Sequence, residues 1–166
     1  MDRAAEPVGA VAVACPDTGA EAVQRVVGDC QRFGVILEGP ITTAHSLSVE
    51  PEVMVVSINL SSSTWAAINR HRHFCVNVLR ADQIAIADRF AGRGGLKGQA
   101  RYEGARWSTL ASGALALEGA LAEVDCTVED TIVRHSHALI LGSVRHVVSG
   151  EPSPAPIYHH GAYGFP

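Results

Sequence analysis

Apolar and polar positions along the chain change rhythm several times, and each rhythm predicts an element. Over residues 20–33, AEAVQRVVGDCQRF, Ala, Val and Cys recur at helical spacing, and Gly34 stands where a helix stops. GVIL then reads as a short strand, broken by EGP. In ITTAHSLSVEPEVMVVSIN, residues 41–59, two strands flank the turn signal Glu50-Pro51, and MVVSI is a buried run. The cluster SSST precedes Trp65, Ala66, Ala67 and Ile68, the pattern of a helix capped by a hydroxyl. FCVNVL reads as a strand, ADQIAIADRFAG as a helix closed by Gly92, and RGGLKGQARYEG as a Gly-rich loop. LALEGALAEVDCTVEDTIV reads as a hairpin turning at Glu118-Gly119, its second strand running past Cys126. RHSHALILGSVRH, residues 134–146, predicts a further strand on which His135 and His137 share a face. SGEPSPAP is a proline-rich loop, and IYHHGAYGF a last short strand.

This amounts to about seven short strands and two or three helices, without βαβ alternation or internal repeat. The pattern predicts a mainly β protein, an antiparallel barrel with helical excursions, whose closure removes exposed strand edges. A chain of 166 residues fits a single domain, 1–166.

Composition narrows the functions. Net charge is −4, and the 13 basic residues form no run, which argues against a nucleic-acid partner. The N-terminal apolar run GAVAVAC is too short to cross a membrane and is ended by Pro16 and Asp17. Cys15, Cys30, Cys75 and Cys126 form no CxxC pair and sit mostly among Val and Ala. They read as reduced, buried thiols of a cytoplasmic protein.

The histidines are the chemically suggestive residues. His135 and His137 read as metal ligands, acid/base groups or ordinary strand residues, and spacing alone leaves these open. His71 and His73 in HRH offer further nitrogens, but HRH follows the helical AAIN and reads as an exposed helix end. No carboxylate stands at convincing ligand spacing, so no metal is expected.

Taken in order, HSLSVEPEVMVVSIN, SSSTWAAI, FCVNVL, ADQ, RFAGRGG, LKG, EVDCTVE, HALILGSV and YHHGAYG resemble the flavin reductase-like family of FMN-binding split barrels. The resemblance runs from about Ile41 to the C-terminus and implies binding of FMN or FAD, with NAD(P)H as the hydride-donating substrate. The family's T-x-S-S-F and S-L-x-P segments fall on Pro40, Thr42, Thr43 and Ala44, with Ser46 and Ser48 behind. Pro40, standing where Thr is usual, donates no backbone hydrogen bond. The family's S-x-T element near the flavin phosphate falls on Ser61, Ser62, Ser63 and Thr64, and a helix N-terminus suits an anion. A plain helix cap explains the same residues. Asn77, polar within a buried strand, reads either as a ligand contact or as a brace for neighbouring backbone. Lys97 falls at the family's Lys-Phe element, with Gly98 in place of Phe.

His137 aligns with the histidine of the family's Gly-Asp-His element, and His135 and Ser136 replace Gly and Asp. An Asp there would orient the imidazole and stabilise its charge. Tyr158, His160 and Tyr163 fall on the family's Y-x-x-G-x-Y segment. The catalytic candidates are therefore His137, His135 and Tyr163. Residues 1–40 are atypical: either the first hairpin is truncated, or PVGAVAVAC supplies the first strand and a helix is inserted after it. The resemblance further implies a homodimer that supplies reduced flavin to a partner monooxygenase. A rival reading keeps the fold without flavin: a cofactor-independent acid/base enzyme, or a binding protein for a small metabolite.

Overall fold

A computed structural model describes residues 8–9, 11–13, 35–36, 41–96, 98–159 and 162–164. Its strands are β1 (Val8–Gly9), β2 (Val11–Val13), β3 (Val35–Ile36), β4 (Ile41–Val49), β5 (Glu52–Asn59) and β6 (His73–Val78). They continue as β7 (Trp107–Thr109), β8 (Leu115–Leu117), β9 (Ala122–Arg134), β10 (His137–Ser149), β11 (Ile157–His159) and β12 (Ala162–Gly164). Helix α1 (Ser63–His71) links β5 to β6, and α2 (Ile84–Phe90) follows β6.

One seven-stranded sheet has the order β2-β6-β9-β10-β5-β4-β3, and its pairs are antiparallel. At its edges β2 pairs with β6, and β1, one residue upstream of β2, runs beside β3. The sheet thus curls back towards its own far edge. β1 also joins β11 and β12 in a three-stranded sheet, while β7 and β8 form a separate hairpin. PVGAVAVAC supplies two short strands, and Val35–Ile36 of GVIL pairs with β4. The helix expected over residues 20–33, with Cys15, Cys30 and Gly34, lies outside the described residues.

The barrel interior follows from alternation along the strands. Ala44, Met54, Val56, Ile58, Phe74, Val76, Val124, Cys126, Ala138 and Ile140 form one buried cluster, to which α1 adds Ile68. Val53 and Val55, on the opposite face of β5, are buried as well, which explains why MVVSI reads as continuous rather than alternating. A second cluster of Leu79, Ile86, Ala87, Leu117 and Ala120 packs α2 and the β7–β8 hairpin against the barrel. Gly142 lets β10 cross the core closely, since a Cβ there would meet the Phe74 ring at 2.5 Å and Cys126 Cβ at 2.7 Å.

Three sequence expectations are corrected. The turn at Glu118-Gly119 exists, but it joins β8 to β9, which do not pair with each other: β8 pairs with β7, and β9 with β6 and β10. Residues 134–146 are not one strand. β9 ends at Arg134, and β10 begins at His137 after a two-residue turn, so His135 does not share a strand face with His137. The reason is that β9 and β10 have 13 residues each, and a chain continuing past Arg134 would leave β9's neighbours behind, whereas turning pairs it along its length. IYHHGAYGF is likewise two strands, with Tyr158 opposite Tyr163.

Candidate functional site

One end of the barrel gathers the polar groups singled out above. β5 runs antiparallel to β10 with Asn59 opposite His137, and β4 begins beside the same end, with Ile41 opposite Ile58 and Thr43 opposite Ser57. Leu60 N donates to Ser136 O at 2.9 Å, which ties the start of the α1 connection to the β9–β10 turn. Residues distant in sequence, Thr42, Thr43, Ser61–Thr64 and His137, are thereby placed at one rim.

Asn59 organises this rim and was missed from sequence. Its Oδ1 accepts hydrogen bonds from Ser61 N at 2.9 Å and Ser61 Oγ at 2.8 Å. The available signal was an Asn closing a buried strand two residues before a serine, the pattern of an Asx turn. Ser62 is the N-cap of α1, its hydroxyl accepting from Trp65 N at 3.0 Å. The Ser62 hydroxyl thus caps the helix, as in the plain-cap reading, and the Ser61 hydroxyl is held by the Asn59 side chain. Ser63 and Thr64 occupy the first two helical positions, where amides have no intrahelical acceptor, and no acidic residue stands in that first turn. This combination of amides, hydroxyls and helix dipole fits the phosphate of a nucleotide.

His137 is partly exposed at the start of β10, and Ser136 Oγ lies 2.8 Å from its Nδ1. His135, exposed, holds φ +50°, a left-handed conformation uncommon for a residue with a side chain. Glycine is the residue that adopts it freely, and glycine is what the family pattern has there.

The other candidates lie elsewhere. Ala44 and Ser46 are buried towards the core, and Ser46 Oγ makes only a long 3.5 Å contact to Ser48 O. Asn77 is buried on β6, where its Oδ1 accepts from Leu117 N at 2.8 Å and fastens β8 to the sheet. The brace reading accounts for it. Tyr163 packs against the α2 cluster with the Arg93 guanidinium 5.6 Å above its ring. Lys97 and His160 lie outside the described residues. His71 and His73 have ring centroids 5.9 Å apart, and among the described residues no group of three or more His, Cys, Asp or Glu is arranged to hold a metal. No described helix is long and apolar enough to cross a membrane.

Away from the rim, the opposite face of β6, β9 and β10 carries buried polar residues beneath the β7–β8 hairpin. Asp125 sits opposite Cys75 and His146, and Glu123 opposite Asn77. Ser112 Oγ donates to Asp125 Oδ1 at 3.3 Å. Burial, and secondarily the charge of Glu118, pushes the Glu123 carboxyl up to about 7. Burial also raises the thiol of Cys126 well above its ordinary value, which suits a packing role rather than a nucleophile.

The chain matches the profile of the Flavin reductase like domain over residues 1–165. It is 29% identical over 119 residues to a flavin reductase from Pseudomonas putida, covering 72% of this chain and 68% of that protein. With FMN reductase (NADH) RutF 2 from Rhizobium rhizogenes it shares 30% identity over 122 residues, 74% of this chain and 69% of the relative. Among solved structures, BorF, the flavin reductase component of a bacterial two-component tryptophan halogenase, superposes with a TM-score of 0.72 at 22% identity, covering 95% of this chain and 89% of that one.

Proposed function

The chain belongs to the flavin reductase-like family, and from that premise we propose that it is an NAD(P)H:flavin oxidoreductase that binds FMN or FAD. The observation that carries the site is the Asn59–His137 register, which sets the α1 N-terminus and the imidazole at one rim. When bound, the flavin supplies the hydride-accepting ring, and orienting the nicotinamide against it is the protein's task. The amides and hydroxyls of Ser63 and Thr64 hold the phosphate, Ser61 and Ser62 brace that turn through their bonds to Asn59 and Trp65 N, and His137 meets the polar edge of the ligand. Thr42 and Thr43 border the same rim from β4.

BorF serves a two-component system, and this supports a partner oxygenase as consumer of the reduced flavin. Leu47, Val49, Ile132, Val133 and Leu139 are exposed on β4, β9 and β10, which supports a homodimer. The buried cysteines Cys75 and Cys126 support a reducing, cytoplasmic setting. The cofactor-independent rival is not favoured, because the relatives are named for flavin and NADH.

Purified protein titrated with FMN and FAD should quench flavin fluorescence and then oxidise NADH or NADPH in the presence of flavin. Absence of both flavin uptake and reductant oxidation at micromolar protein overturns the reading.

A further inference from the structure

The β9–β10 turn replaces a carboxylate with a hydroxyl beside the imidazole. We propose that Ser136 is a positioning residue that donates its hydroxyl proton to Nδ1 of His137, locking the neutral ring as the Nε2–H tautomer, so that His137 offers a hydrogen-bond donor to an acceptor oxygen of the bound flavin or nicotinamide.

The argument begins with the 2.8 Å separation of Ser136 Oγ and His137 Nδ1. A hydroxyl can donate, so unlike a carboxylate it satisfies a bare Nδ1, and doing so leaves the proton of the neutral ring on Nε2. A carboxylate only accepts: it would draw the proton to Nδ1, leave Nε2 bare in the neutral ring, and favour the imidazolium. Among the described residues, the strand neighbours of His137 add no competing acceptor of that kind. Opposite it on β5 is Asn59, whose Oδ1 is engaged by Ser61. Opposite it on β9 is Arg134, whose guanidinium donates to Val133 O. Within the turn is His135, the first turn of α1 carries no acidic residue, and β4 brings Ile41 to Ile58 next to it. Those described groups are cationic or neutral. With Nδ1 held by Ser136, Nε2 is the nitrogen left for a ligand, and it carries a proton in both charge states. The turn is fixed independently, because Ser136 O accepts from Leu60 N at 2.9 Å. The side chain is therefore free to be exchanged without unlatching β10 from the α1 connection.

The functional half of this inference rests on the oxidoreductase reading above; the tautomer half does not. The test is long-range nitrogen–proton NMR of the His137 ring in the resting full chain, above its titration, for wild type, Ser136→Ala, Ser136→Thr and Ser136→Asp. The wild type and Ser136→Thr should show a protonated Nε2 and a bare Nδ1. Ser136→Asp should invert this pattern, since a carboxylate only accepts. Ser136→Ala should weaken the bias, moving part of the population to the Nδ1–H tautomer. In steady-state NAD(P)H oxidation, Ser136→Ala should raise KM about fivefold to tenfold, the worth of one hydrogen bond, with Ser136→Thr restoring most of it. A wild-type ring protonated at Nδ1, or one unchanged by Ser136→Ala, overturns the proposal. A wild type that shows the expected tautomer but takes up no flavin leaves Ser136 as the positioning residue and removes the oxidoreductase reading instead.

Discussion

Replacing His135 with glycine should make the protein more stable. His135 is the first central residue of a two-residue hairpin turn and holds φ +50°, a position where glycine, Asn or Asp is favoured. A side chain in the left-handed region costs about 1–2 kcal/mol. The imidazole is exposed, and no hydrogen bond or ion pair attaches it to the described residues, so little is lost with it. Against this, glycine loses more backbone freedom on folding, about 0.5–1 kcal/mol. The net gain for His135→Gly is then about 0.5–1 kcal/mol, and His135→Ala, which keeps the strain, should be near neutral. Denaturant unfolding reads this as a higher midpoint with an unchanged slope. A His135→Gly variant no more stable than His135→Ala would show that the turn is not strained and refute the reasoning. The same variant tests catalysis: if His135 meets the ligand, turnover falls as stability rises, the exchange expected where strain is kept for function.

Other expectations concern the buried polar face and the core. Burial raises Glu123 from its ordinary 4.5 to about 7, so the folded chain retains a proton that the unfolded chain has released. That contribution to stability is full below about pH 4.5 and is lost as pH rises through 7. Glu123→Gln should match wild type in acid and exceed it above pH 7 by about 1–3 kcal/mol, discounted for partial access to water, in urea unfolding at several pH values. Asn77→Ala leaves Leu117 N buried without its acceptor and should cost about 1–3 kcal/mol, read from the same curves. Gly142→Ala forces the Phe74 ring and Cys126 aside and should cost about 1–3 kcal/mol with loss of thermal midpoint; an unchanged midpoint would mean that the core yields at no cost.

How much of this was legible beforehand depended on the range of the interaction involved. Ser62 as the cap of α1 and Gly92, with φ +81°, after α2 were readable because a cap is set by residues three or four apart. The buried run on β5 was readable because both of its faces are covered. The turn at His135 was not, since histidine gives no turn signal and only the pairing of β9 with β10 along 13 residues demands one. The partner that Asn77 braces lies 40 residues away, and no local pattern discloses a bond of that separation. The rim itself was invisible as a whole. His137 and Ser61 are joined through a strand register, and register is set by what the sheet buries rather than by any motif.

The two departures from the family pattern at this turn work in the same direction. Exchanging glycine for His135 keeps the length of the loop, and exchanging Asp for Ser136 keeps its carbonyl on Leu60 N, so the register of His137 against Asn59 survives both. What changes is charge. A carboxylate disappears, an imidazole is added beside Arg134, and the adjoining first turn of α1 has no acid to offset them. Among the described residues, an anion approaching this rim therefore meets a helix N-terminus, Arg134 and two imidazoles with no carboxylate in that helix turn or in the β9–β10 turn. Binding of a phosphorylated ligand should accordingly weaken with salt, and more steeply in wild type than in Ser136→Asp, whose carboxylate cancels part of the field. Equal salt dependence in the two proteins would place the phosphate away from the turn and confine the histidines to the far end of the ligand.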